Sequence, residues 1–121
     1  MDTLEERISQ IESLEAIRNL KHAVYCRCID LIVAGDLSKK EKILRHLADN
    51  VVADFTGFEL MEGKKNVAAF LFETIPSILS YSQHRVTNDI IEIDGGRAKA
   101  SWYVDCPVVF YPNNKLNING S

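Results

Sequence analysis

Two alternating apolar runs, residues 82–93 and 97–111, are joined by Asp94-Gly95-Gly96, and this constrains the chain more than any other feature. Asp and Gly accept the positive φ of a tight turn, so the pair reads as a long antiparallel hairpin. In the second run Ala98, Ala100, Trp102, Val104, Cys106, Val108 and Phe110 alternate with Lys99, Ser101, Tyr103 and Asp105. The alternation predicts that the even-numbered face meets a layer of helices.

Helical periods supply that layer. From Leu4 the apolar positions Ile8, Ile11, Leu14, Ile17, Leu20, Val24, Cys28 and Leu31 follow three- and four-residue steps, predicting one long helix with a break near Ser13. Asp2 or Thr3 is placed to cap its start, and Gly35 to end it. A short second helix is expected from Ser38 through Leu47. A third is expected around Val67, Phe70, Leu71 and Leu79, stopped or kinked just before Pro76. Between them VVADF reads as a strand, and GFELMEG, bounded by Gly57 and Gly63, as a second extended piece. The fold class is therefore α+β, with a mainly antiparallel sheet under helices.

A length of 121 residues predicts one domain over 1–121. Lys and Arg total 14 against 17 Asp and Glu, a net charge of -3, which provides no basic field for a nucleic-acid backbone. No apolar run approaches the length of a membrane span, and MDTLEERISQ has no apolar signal region. The three cysteines, Cys26, Cys28 and Cys106, show no framework spacing, and a cytoplasmic location is expected. The segment YPNNKLNINGS is rich in turn residues, which predicts a loose tail over 112–121.

The order of elements, with the words LEAIRNLKHAVYCRCID, ADNVVADF and HRVTNDIIEIDGGRAKASWYV, resembles the SnoaL-like branch of the nuclear transport factor 2-like superfamily. That branch includes polyketide cyclases, scytalone dehydratases and dehydrochlorinases, and the resemblance runs from about Leu14 to Tyr111. It implies a cone-shaped, strongly curved antiparallel sheet, with helices over its concave face and a pocket between them. It also implies two further long strands after the hairpin. Those C-terminal strands are missing from this sequence, so either a partner completes the sheet or part of the pocket is absent.

By the same resemblance Asp30 is expected to orient His84 as a general base. Tyr25, a little over one turn before Asp30, is either a donor to a substrate oxygen as in ketosteroid-isomerase-like sites or a core residue whose hydroxyl reaches the surface. A carboxylate that holds one imidazole nitrogen fixes the tautomer and leaves the other nitrogen to the substrate. Periodicity alone argues otherwise, since it places Asp30 about 140° from the centre of the apolar stripe, in water. Asn88 shares the strand face of His84 by parity and is a candidate pocket amide. Phe55, Phe70, Phe72 and Trp102 are candidate cavity walls, or simply core. Where scytalone dehydratases place tyrosines this chain has Ile29 and Phe55, and no histidine follows Arg85.

No metal site is expected: His22 and Cys26 stand one turn apart without a second pair, and Cys26 and Cys28 point about 200° apart. No phosphate loop or nicotinamide fingerprint is present, so no cofactor is expected. The functional expectation is a cofactor-independent lyase or isomerase acting on a small hydrophobic molecule. A non-catalytic ligand-binding or oligomerisation domain is the alternative. Unpaired strand edges after Tyr111, with Pro107 interrupting the ladder, predict a homodimer or larger homo-oligomer meeting through Ser101, Tyr103 and Val109.

Overall fold

The computed structural model describes residues 2–114 and 116. A helix occupies most of the first third. It comprises α1 (Leu4–Asn19), a π segment (Leu20–Cys26) and α2 (Arg27–Val33), which run on without a break. Thr3 caps its start, the hydroxyl accepting from the Glu6 N–H at 3.1 Å. At the far end the N–H of Gly35 reaches Ile32 O and that of Asp36 reaches Leu31 O, while Gly35 takes φ 106°. This is a Schellman ending, and the positive φ is why glycine stands there. The irregularity lies at Leu20–Cys26, not near Ser13.

A 3₁₀ turn (Leu37–Lys39) and α3 (Lys40–Leu44) follow. The extended pieces then shrink to β1 (Val52–Ala53) and β2 (Met61–Glu62), paired antiparallel. A second composite helix runs through α4 (Lys64–Ala69), a π segment (Phe70–Thr74) and α5 (Ile75–Ile78). It does not stop at Pro76, which lies in the first turn of α5. A proline ring clashes with the carbonyl four residues back, here that of Phe72, and a π turn relieves the clash by widening the helix. Leu79 falls beyond the helix, in β3 (Leu79–Ser82).

The remaining strands are β4 (Arg85–Asp94), β5 (Arg97–Asp105) and β6 (Val108–Phe110). They correct the expectation of a cone. Among the described residues the strands form three separate two-stranded antiparallel sheets, β1–β2, β3–β6 and β4–β5, and none curls into a cone-shaped wall over which helices close. Pro107 is one physical reason. The 97–111 run divides at Cys106-Pro107, where a ladder donor is absent. The register nevertheless carries across the gap, with Ser82 opposite Val108 and Arg85 opposite Asp105.

A second irregularity sits inside the hairpin. Thr87 faces Tyr103 and Ile90 faces Ser101, so Asn88 and Asp89 together oppose Trp102 as a bulge, with Asn88 at φ 57°. Asparagine is among the few residues that take this conformation readily. The bulge turns Asp89 towards α1, where it accepts from Arg18 Nε at 3.0 Å.

The core gathers around α2. Ile29, Ile32 and Val33 pack with Ile43, Val67, Phe70, Leu71, Ile78 and Leu79. By contrast α1 has no buried residue, and Leu4, Ile8 and Ile11 of its stripe are exposed. On β5 only Trp102 is half-buried, and Ala98, Ala100 and Val104 of the even-numbered face are exposed. That face meets the helical layer only at Trp102 and, past the strand, at Cys106, Val108 and Phe110, all half-buried. Among the described residues no helix is long and apolar enough to cross a membrane. Most of the 112–121 tail lies outside the described residues.

Candidate functional site

Asp30 sits in α2, which packs against β3. The π segment explains why the sequence stripe misplaced it. One widened turn adds a residue to the helical repeat, so the phase beyond Cys26 shifts by about 100°. Downstream the buried face widens to take in Cys26, Cys28, Ile29, Ile32 and Val33, and Asp30, half-buried, stands at its margin instead of on the wet face.

His84 comes from the gap between β3 and β4. The Gln83 N–H donates to Pro107 O at 3.1 Å, across the hairpin. Successive N–H groups along a strand point to opposite sides, so that of His84 points away from the partner strand. There it donates to Asp30 Oδ2 at 2.8 Å. The ring follows, with Nδ1 2.6 Å from Asp30 Oδ1, and the same oxygen accepts from Ser82 Oγ at 2.7 Å. A carboxylate only accepts, so Nδ1 carries the proton and Nε2 is left for another partner. Three donors on two oxygens fix the carboxylate in place. Both side chains are mostly sheltered, Asp30 at 16% exposure and His84 at 24%.

His84 borders two spaces. On one side is a polar groove of about 470 Å³ that also touches His22, Arg27, Asp30 and Gln83. On the other is an apolar cavity of about 280 Å³ lined by Tyr25, Ile29, Phe55, Phe58, Phe70 and Cys106, among others. Phe55 stacks on Phe70 at 5.2 Å between centroids, and Phe58 meets Phe70 edge-on at 4.8 Å. Burial, with a smaller push from Cys26, raises the Tyr25 phenol to about 12. It therefore remains an O–H donor at neutral pH. Burial likewise pushes up the thiols of Cys26 and Cys106, the carboxylate of Asp30 adding to both.

Of the residues singled out in the sequence, Asp30, His84, Tyr25, Phe55 and Phe70 are brought together. Asn88 is not among the residues lining this cavity. It is exposed in the bulge, which breaks the parity that had linked it to His84. Trp102 lines a different cavity, with Ile17, Lys21 and Leu47. His22 is exposed and Cys26 buried, and among the described residues no three His, Cys, Asp or Glu side chains gather as a metal site. Two residues escaped the sequence reading. Ser82 lies two positions before His84 and so on its strand face, a signal that was there to use. Cys106 faces His84 only because the bulge shifts the register by one, which no turn signal announces.

Fold and site together define an α+β domain with a carboxylate-held imidazole at the edge of an apolar cavity. A family model described as a SnoaL-like domain matches residues 9–115, and the chain belongs to that family. Among solved structures it is similar to a protein of Novosphingobium aromaticivorans provisionally assigned as an aromatic ring hydroxylase. The TM-score is 0.70 at 23% identity, over 83% of this chain and 67% of that one. This likeness concerns the fold. No curated protein matches the chain.

Proposed function

We propose that this SnoaL-like domain is a cofactor-independent lyase or isomerase in which His84 Nε2 takes a proton from a small hydrophobic substrate. The observation that carries the reading is the placement of His84. Its Nδ1–H is engaged by a fixed carboxylate while its ring borders an apolar cavity. As Nε2 accepts a proton the ring becomes cationic, and the Asp30 carboxylate at 2.6 Å stabilises that charge. Tyr25, kept protonated, is the donor for an oxygen that gains negative charge as the C–H bond breaks. A cavity of about 150 Å³ holds a benzene. The 280 Å³ here suits a substrate of one or two rings with a C–H acidified by a neighbouring carbonyl.

Proton abstraction leaves a trace even when the true product is unknown. Incubating the protein in D₂O with a set of small cyclic ketones and following α-proton signals by NMR should reveal exchange for those that fit. His84→Ala should slow that exchange by about 10²- to 10⁴-fold, and Asp30→Asn should act in the same direction. Exchange that persists unchanged in His84→Ala would remove the histidine from the mechanism.

One observation favours a second reading, an assembly role. Ile90 and Tyr103, on one face of the hairpin, are 65% and 72% exposed, and Val109 on the same odd-numbered face is exposed as well. Apolar surface of this kind is where copies of a chain meet. We propose a homodimer or larger homo-oligomer formed through the hairpin, a state compatible with catalysis or with binding alone.

A further inference from the structure

A second cavity of about 280 Å³ lies on the other side of Tyr25, between the first π segment, α3 with the turn after it, and β5. Its walls are mostly aliphatic, from Ile17, Val24, Ile43 and Leu47, and its polar lining consists of Lys21, Tyr25, His46 and Trp102. No carboxylate is among these lining residues. The Lys21 ammonium stands 5.2 Å from the Tyr25 ring centre and 5.5 Å from that of Trp102, within the range of a cation–π contact with both. His46 donates its Nδ1–H to Lys42 O at 2.8 Å, which ties the ring to α3. The Trp102 indole N–H is buried and finds no acceptor among the described residues. Buried donors are nearly always matched, and an unmatched one marks a place where an acceptor from outside the protein improves the balance.

We propose that this cavity binds a small apolar monocarboxylate. The hydrocarbon part lies against the aliphatic wall, and the carboxylate is drawn to the Lys21 ammonium with the Trp102 N–H as a further donor. A neutral alcohol of the same length gains the apolar contacts but not the ion pair. An amine meets the Lys21 charge as a repulsion. Neither His84 nor Asp30 lines this cavity, so the inference stands apart from the proton chemistry proposed above.

Trp102 is the chain's single tryptophan, so its emission reports on this cavity without a label. Titration with octanoate should give a saturable change in emission. Octanol should bind about tenfold more weakly, and octylamine should give no saturable change. Lys21→Met keeps the stem and removes the charge. It should weaken octanoate about tenfold and leave octanol as before. Three results would each overturn the proposal: no saturable response to octanoate, equal affinity for octanoate and octanol, or octanoate binding indifferent to Lys21→Met. A response lost in His84→Ala and retained in Lys21→Met would assign the ligand to the His84 cavity, which also overturns it.

Discussion

The two ends of the long hairpin live under different rules. At the β3–β6 end the strands lie on α2 and the 64–78 helix, and Leu79 and Ser82 are buried. At the β4–β5 end the ladder is longer, yet among its nineteen residues none is buried. The short end is held by packing and the long end mainly by its own ladder. His84 lies at the point where one regime gives way to the other, where the structure is stiff enough to hold its ring against Asp30 while part of the ring stays exposed.

The largest expected effect breaks the packed end. Ile32 is 1% exposed and central to the α2 cluster, so Ile32→Ala removes its contacts and leaves a cavity. The expected loss is about 2–5 kcal/mol. Denaturant unfolding followed by far-UV circular dichroism measures it. A loss below about 1 kcal/mol would mean that α2 is not the centre of the core.

The same contrast explains what could be read from residues alone. The Asp94-Gly95-Gly96 turn, the Thr3 cap and the Gly35 ending are local chemistry, and local chemistry is legible. The π segments are not, because they insert a residue in phase without a composition signal. The stripe extrapolated from Leu4 therefore put Asp30 in water, and only the family resemblance paired it with His84. The cone was an implication of the family resemblance, and three small sheets stand in its place: alternation continues through Cys106-Pro107, while the ladder does not. The Trp102 cavity was out of reach for a third reason. Trp102 keeps the alternation of its strand, but the cavity also needs side chains of the π segment, of α3 and of the turn after it, which share no period with it.

A smaller effect sharpens the comparison through pH. Tyr25 titrates near 10 in an unfolded chain and about 12 here, because burial disfavours the phenolate. Its folded-state pKa is raised, so its contribution is fully present below pH 10 and is lost as pH climbs towards 12, where the unfolded chain has already released the proton. The loss is at most about 3 kcal/mol, and less in so far as water reaches the half-buried ring. Cys26 and Cys106, both pushed up from 9.0, act in the same direction and begin earlier. Tyr25→Phe should flatten the alkaline fall, measured as unfolding midpoints between pH 9 and 12. An unchanged pH profile would place the phenol in water.

The smallest effect belongs to the exposed end, and its size depends on company. Ile90 sits beside the bulge with 65% of its surface open. In an isolated chain Ile90→Thr keeps a β-branched residue in the strand and removes little buried area, so stability should change by less than about 0.5 kcal/mol. If a second copy covers the hairpin, Ile90 is buried in the assembly and the same change removes apolar contact from the interface. Mass action separates the two cases, because only an associating protein has a midpoint that rises with concentration. Unfolding measured at two concentrations, with light scattering at micromolar protein, should show a concentration-dependent midpoint in the parent chain and a weaker dependence in Ile90→Thr. A clean monomer mass, with midpoints that do not move with concentration in either protein, would leave the hairpin as a free surface and remove self-association from the account.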